Sequence, residues 1–367
     1  MELMEWCREL PKIELHAHLN GSVRDSTLLE LAKVLGEKGV IVFADVAHVI
    51  MKNGRSLPEC FMLFDLFHIL TTDHQTVTRI TKEVIEDFAA ENVVYLELRT
   101  TPKKNEAKGM TKRSYMEAVI DGIKAVDSVD VAFVTSDTSK LMTCSGSIPV
   151  NGTGSPIKRK KIYVRLLLSI DRRETTAAAM ETVNLAMDLK DFGVVGIDLS
   201  GNPVIGEWET FLPALKHAKE LGLPITLHCA EVPNKKEIQA MLDIHPQRIG
   251  HACFLEDEEW RKAKFLKIPV EICLTSNIRT ERLSSLHNHH FADLYKAKHP
   301  LSLCTDDSGL FSTTLSNEYY LAASTFGLNK SEIFVLARSA IQYAFVDDEV
   351  KEELTKVFDD AEKRLIS

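Results

Sequence analysis

The chain has 367 residues, of which 45% are apolar and 26% charged, and its formal net charge is −9. That length suits two ordinary domains or one α/β barrel, and the composition excludes disorder or a fibre as a whole-chain description. The acidic balance argues against a nucleic-acid polymer as partner, which calls for a basic stripe. No apolar run reaches the roughly 18–20 residues of a membrane span, so no membrane role is expected.

The first ten residues carry Glu2, Glu5, Arg8 and Glu9 in place of a signal-peptide pattern. Seven scattered cysteines without a CxxC pair read as reduced thiols of a cytosolic protein. Eight short β-branched and aliphatic runs then recur along the chain: Ile13–His18, Val93–Arg99, Ile162–Ile170, Val194–Leu199, Ile225–Cys229, Arg248–His251, Val270–Leu274 and Leu301–Thr305. Most are nearly continuous apolar stretches, as parallel strands buried on both faces require. Amphipathic helical patterns, such as Thr175–Phe192 and Glu207–Leu221, lie between them.

Eight strands alternating with helices predict an α/β fold of the (β/α)8 TIM-barrel type, with residues 1–367 as one domain. The runner-up is an open doubly wound sheet, weakened because no strand is followed by GxGxxG. Residues 22–92 are too long for one helix and predict inserted helices over the barrel mouth, including Leu57–Leu70 after a Ser-Leu-Pro start. Residues 135–161 are rich in Ser, Thr, Gly and Pro and predict a flexible insertion loop ending in a basic run at 158–161. From Leu315 onward, two or three closing helices are expected.

His16 and His18 end the first strand two residues apart, so both imidazoles project to one face. His228 ends the fifth strand, His251 the sixth, and Asp306-Asp307 follow the eighth. In a barrel those C-terminal ends share one rim. Imidazoles converging with a carboxylate suit zinc or another first-row divalent ion, which lowers the pKa of a water towards ~7. Glu231, three residues after His228, is a candidate general acid if its pocket is closed and apolar, or a carboxylate at a helix start. Gly201 reads as a turn residue, or as a close backbone approach to a planar ligand. Asn20-Gly21 reads as a turn unless Asn20 faces the cavity. His48, His74, His217 and His245 read as surface or core residues, and His287, His289 and His290 as a loop before a helix.

Taken together, LPKIELHAHLNGS, SLPECFMLFD, VVYLELRTTP, GIDLSGNP, LHCAE, RIGHA, CLTSN and LCTDD resemble the adenosine deaminase superfamily. These are zinc-dependent (β/α)8 barrels that hydrolyse the 6-amino group of adenine derivatives, and the likeness runs from Pro11 to roughly the last helix. It implies one Zn2+ held by His16, His18, His228 and Asp306, with His18 also beside the substrate. It further implies that Glu231 protonates ring N1, His251 orients the attacking hydroxide, Asp307 holds N7 and the Gly201 N–H binds N3.

One departure points to the substrate. Members acting on the free nucleoside carry aspartate where this chain has Asn20, and that carboxylate would repel a 5′-phosphate. Asparagine removes the repulsion and offers amide donors. Thr100, Thr101, Pro102 and Lys103 add two hydroxyls and a cation on the same rim, and His68 on the inserted helix adds a donor. The HAHLNGS, RTTPK and DLSGNP forms look like the adenosine deaminase-like branch that acts on N6-methyl-AMP. That likeness implies Asp171 against the ribose and hydrolysis to IMP and methylamine, with adenosine or AMP deamination as alternatives. The expected partner is a small purine nucleotide, and the expected state a cytosolic monomer.

Overall fold

The computed structural model describes residues 1–52, 55–133, 142–143, 159–280 and 283–366. Eight parallel strands follow one another around the molecule: β1 Lys12–His18, β2 Val93–Thr100, β3 Lys161–Asp171, β4 Val194–Ser200, β5 Ile225–Cys229, β6 Arg248–His251, β7 Val270–Ile272 and β8 Leu301–Leu303. Each pairs with the next in sequence. The ring closes at the rim, where Ala17 bridges Asp306. There the His18 N–H donates to the Asp306 carbonyl at 3.0 Å, and the Asp306 N–H to the His16 carbonyl at 2.8 Å. A register shift between Glu14 and Ala17 puts an irregularity in β1 beside the first two histidines.

Apolar side chains such as Leu96, Leu98, Leu166, Leu168, Ile197 and Leu227 are fully buried, which is why these runs sit between a barrel lumen and a helical shell. The lumen also holds charges, because Glu97, Arg99, Asp198, Arg248 and Glu271 are all buried. They survive there by pairing. Arg248 meets Glu97 at 2.5 Å and Glu271 at 2.6 Å, and Arg99 meets Asp198 at 3.2 Å and Glu271 at 3.0 Å.

Two expected strands are shorter than the sequence suggests. Leu274 opens a helix, Leu274–Arg279, instead of ending β7. Its start is held by the Thr275 N–H, which donates to Glu318 at 3.1 Å. β8 stops at Leu303, and Asp306 beyond it, with a left-handed φ of 63°, makes an isolated bridge to Ala17. An unforeseen strand, Asp130–Phe133, lies parallel to the start of β3 and pairs antiparallel with residues 142–143. Otherwise the expected 135–161 loop lies almost wholly outside the described residues.

The chain begins with α1 Leu3–Glu9, and the insertion after β1 comprises a 3-10 turn Asn20–Ser22 and helices α2 Asp25–Glu37, α3 Phe43–Ile50, α4 Leu57–Leu70 and α5 His74–Ala90. The Ser-Leu-Pro start of α4 is a capping box, in which the Ser56 N–H donates to Glu59 at 2.7 Å. Buried Arg55 ties this insertion to the loop after β8 by donating to the Leu310 carbonyl at 2.8 Å and to Asp25 at 2.7 Å. After β2 comes α6 Lys112–Lys124. Three helices, Leu315–Phe326, Lys330–Ser339 and Asp348–Leu365, close the chain as expected. Among the described residues no helix is long and apolar enough to cross a membrane.

Candidate active site

His16 and His18 project from the end of β1, His228 from β5, and Asp306 from the turn after β8. Their four donor atoms lie within 4.8 Å of one another. The His18 and His228 Nε2 atoms are 3.1 Å apart. Asp306 Oδ1 lies 3.4 Å from His16 Nε2 and 3.2 Å from His18 Nε2. A second ring of side chains fixes the direction of three of the four donors. Glu271 takes the His16 Nδ1–H at 2.6 Å, Asp198 takes the His228 Nδ1–H at 3.0 Å, and the Ser276 hydroxyl donates to Asp306 Oδ2 at 2.6 Å. Carboxylates on both Nδ1 atoms put the ring protons outside and the Nε2 lone pairs inside, the usual outer partnership of metal-ligating histidine.

The chemistry of this donor set suits a divalent cation. His16 Nε2 is fully buried and has no hydrogen-bond partner among the described residues, which is costly unless a ligand claims its lone pair. Burial pushes His18 down to about 4, so its imidazole is neutral, as ligation requires. Burial also disfavours the charge on His228, but adjacent Asp198 overrides it and raises that ring to about 9, so a cation binding at Nε2 would displace a proton there. Three imidazoles and one carboxylate match first-row divalent chemistry. The residues fit.

Glu231 follows β5 and is buried. The His251 Nε2 lies 3.7 Å from Glu231 Oε1 and 3.9 Å from Asp306 Oδ2, which puts His251 and Glu231 on one side of the donor cluster. Ala230, His251, Ala252 and Asp306 all hold positive φ, from 55° to 63°. Such backbone costs about 1–3 kcal/mol per residue and persists where surroundings over-determine it. Asp307 sits over Gly21, where an added Cβ would fall 1.7 Å from its Oδ1. Gly21 is therefore the space that Asp307 occupies, a role beyond the turn the sequence suggested.

Beyond the ends of β2 and β3 the rim is cationic. Lys103 Nζ reaches Thr71 Oγ1 and lies 3.4 Å from His68 Nδ1, while Arg173 Nη2 lies 3.5 Å from His68 Nε2. Burial, reinforced by Arg173, lowers Lys103 to about 8. Partial burial and the same two cations hold His68 down at about 4. Asp171, at the end of β3, accepts from the Arg173 backbone N–H at 2.8 Å and its guanidinium at 2.9 and 2.7 Å. Burial alone would raise that carboxyl, but Arg173 lowers it. Gly201, with φ 105°, stands against Asp171, whose Oδ1 an added Cβ would approach to 3.3 Å. Thr101 and Pro102 carry the chain from β2 to Lys103.

Asn20 joins this side through Tyr115 on α6. The Tyr115 hydroxyl contacts Thr100 Oγ1 at 2.7 Å and donates to Asn20 Oδ1 at 3.3 Å. With its oxygen so engaged, Asn20 keeps its NH2 as donor. Sequence reasoning missed Tyr115, Thr71 and Arg173, and the supporting Arg99, Asp198, Glu271, Ser276 and Asn277. Arg99, Asp198 and Glu271 did leave a signal, since each is a charge inside an otherwise apolar strand.

Fold and rim together define an amidohydrolase-type barrel enzyme. The family model described as adenosine deaminase matches residues 11–361, and the chain belongs to that family. It is 69% identical over 359 residues to the N6-mAMP deaminase of Arabidopsis thaliana, covering 98% of this chain and 99% of that protein. The apo structure of the Arabidopsis thaliana N6-methyl-AMP deaminase superposes with a TM-score of 0.90 at 66% identity, covering 98% of this chain and 99% of that one. The crystal structure of arabidopsis ADAL complexed with IMP gives a TM-score of 0.89 at 66% identity, with the same coverage.

Proposed function

We propose that this chain hydrolyses N6-methyl-AMP to IMP and methylamine, as one catalytic unit over residues 1–367. The observation that carries the reading is a three-histidine, one-carboxylate centre and a cationic cluster at the C-terminal strand ends of one barrel rim. His16, His18, His228 and Asp306 would hold zinc, which when bound supplies Lewis acidity and brings the pKa of water towards ~7.

The chain's own groups do the rest. Glu231, buried beside the cluster, carries a proton to ring N1 as C6 becomes tetrahedral. His251 fixes the attacking oxygen, Asp307 holds N7 and the Gly201 N–H faces N3. Of the two hydrogens of the water consumed, one ends on N1 of the product and one on the departing amine. Lys103, Arg173, Asn20 and the hydroxyls of Thr100 and Thr101 face the 5′-phosphate end, where His68 completes the lip and Asp171 meets the ribose. The test is a set of steady-state rates on N6-methyl-AMP, AMP and adenosine, with the metal content of the same sample. The reading expects the methylated nucleotide to lead in kcat/KM and about one zinc per chain. A preference for adenosine would overturn the phosphate assignment, and a preference for AMP the methyl-group assignment.

A further inference from the structure

The His289-His290 pair, which the sequence suggests is only a loop before a helix, is built into the floor of the site. His289 is buried and stacks on His290 with ring centroids 4.4 Å apart. The backbone N–H of Phe291 donates to His289 Nδ1 at 3.0 Å. A backbone amide can only donate, so Nδ1 carries a lone pair and the single proton of a neutral His289 sits on Nε2. Burial and the neighbouring His290 hold His289 far down, at about 2, so it stays neutral. Its Nε2 lies 3.1 Å from Asn277 Oδ1, which must accept. The Asn277 amide nitrogen then faces His251 Nδ1 at 3.0 Å and must donate. That leaves His251 one place for its proton, Nε2, on the side of Glu231 and Asp306. His290 grips the same residue from behind, donating from Nε2 to the His251 carbonyl at 2.7 Å and supporting its left-handed backbone.

We infer that Asn277 and His289 are positioning residues that lock His251 in its Nε2–H tautomer, so that His251 meets the attacking water oxygen as a hydrogen-bond donor and does not remove its proton. The inference rests on the deaminase reading for its consequence, but the tautomer itself is a property of the resting enzyme.

The decisive variant is Asn277→Asp, which keeps the shape, still accepts from His289 and replaces the donor facing Nδ1 with an acceptor. In zinc-loaded, full-length enzyme with 15N-labelled histidine, the His251 ring resonances, assigned by their loss in His251→Gln, should show Nε2 protonated and Nδ1 bare. Asn277→Asp should reverse that pattern and lower kcat about 10²–10³-fold, the cost of one misdirected donor, with KM little changed. His289→Leu should broaden or mix the tautomers and cost roughly 10–100-fold in kcat, whereas His289→Gln, whose amide can still donate to Asn277, should restore both. Zinc content and thermal unfolding of each variant separate these effects from misfolding.

A wild-type His251 protonated on Nδ1, a tautomer unmoved by His289→Leu, or a reversed tautomer with undiminished kcat would each overturn the inference. Absence of turnover on every purine tested would instead overturn the deaminase reading and leave the spectra to judge the relay.

Discussion

At the inner end of the rim, His16, His228 and Asp306 are each held by a second side chain, and every group is buried or nearly so. At the outer end, Lys103, His68 and Arg173 lean on one another and on Asp171, with Arg173 more than half exposed. The inner end gathers Asp306, Asp307 and Glu231 and calls for a cation. The outer end gathers two cations against one carboxylate and calls for an anion. The contrast shows how one rim can order a substrate end to end: rigid donors where bonds change, and long flexible cations where charge only has to be met.

The largest effect should come from chelating the metal. Turnover should fall by at least about 10³-fold, because several kcal/mol of transition-state stabilisation leave with the ion. Binding of IMP, read by calorimetry, should change only a few-fold, and an equal collapse of both would mean that the ends are not separable.

Next in size is Asn20→Asp, whose new carboxylate still accepts from Tyr115 and so should fold. A unit charge close to a phosphate should cut kcat/KM on the nucleotide by about 10²-fold and leave N6-methyladenosine nearly untouched. An unchanged ratio between the two would remove Asn20 from the phosphate site.

Lys103→Met should cost about 10–100-fold on the nucleotide alone, as expected for the loss of a charge-assisted hydrogen bond. The same residue predicts a pH effect. With its pKa lowered to about 8, Lys103 is a cation below that value and neutral above it. Nucleotide kcat/KM should therefore fall as pH rises through about 8, and Lys103→Met should flatten that limb. A limb that persists in the variant belongs to another group.

Arg173→Met should be the mildest, a few-fold at most, since its exposed guanidinium is screened by solvent and already paired with Asp171. A loss larger than that of Lys103→Met would reverse the ranking of the two cations.

Much of the inner end was legible in advance. An HxH at a strand end, a histidine closing each of two later strands and a double aspartate can be placed on one rim once eight parallel strands are counted. The supports were not, because Asp198, Glu271 and Asn277 declare their partners only when β4, β7 and the helix Leu274–Arg279 lie side by side. The outer end was legible in part. Lys103 and His68 could be named, whereas Arg173 and Tyr115 carry no local signal that sets them apart from other charged or aromatic residues. The histidines at 289 and 290 were set aside for the same reason: nothing local distinguishes a stacked, buried pair from a surface loop.

Periodicity and strand-end chemistry by themselves pointed to the barrel, the order of its strands and the rim on which His16, His18, His228, His251, Asp306 and Asp307 gather, since side-chain direction along a strand and the shared rim of parallel strands are fixed by backbone geometry; the choice of four among them came from the family resemblance. Tertiary structure alone decided which proton each imidazole carries, how Gly21 makes room for Asp307 and which cations meet at the lip. Those outcomes depend on hydrogen bonds and clearances between residues up to about 290 positions apart, as between Gly21 and Asp307, and no local pattern of residues encodes a distance between elements that only folding brings together.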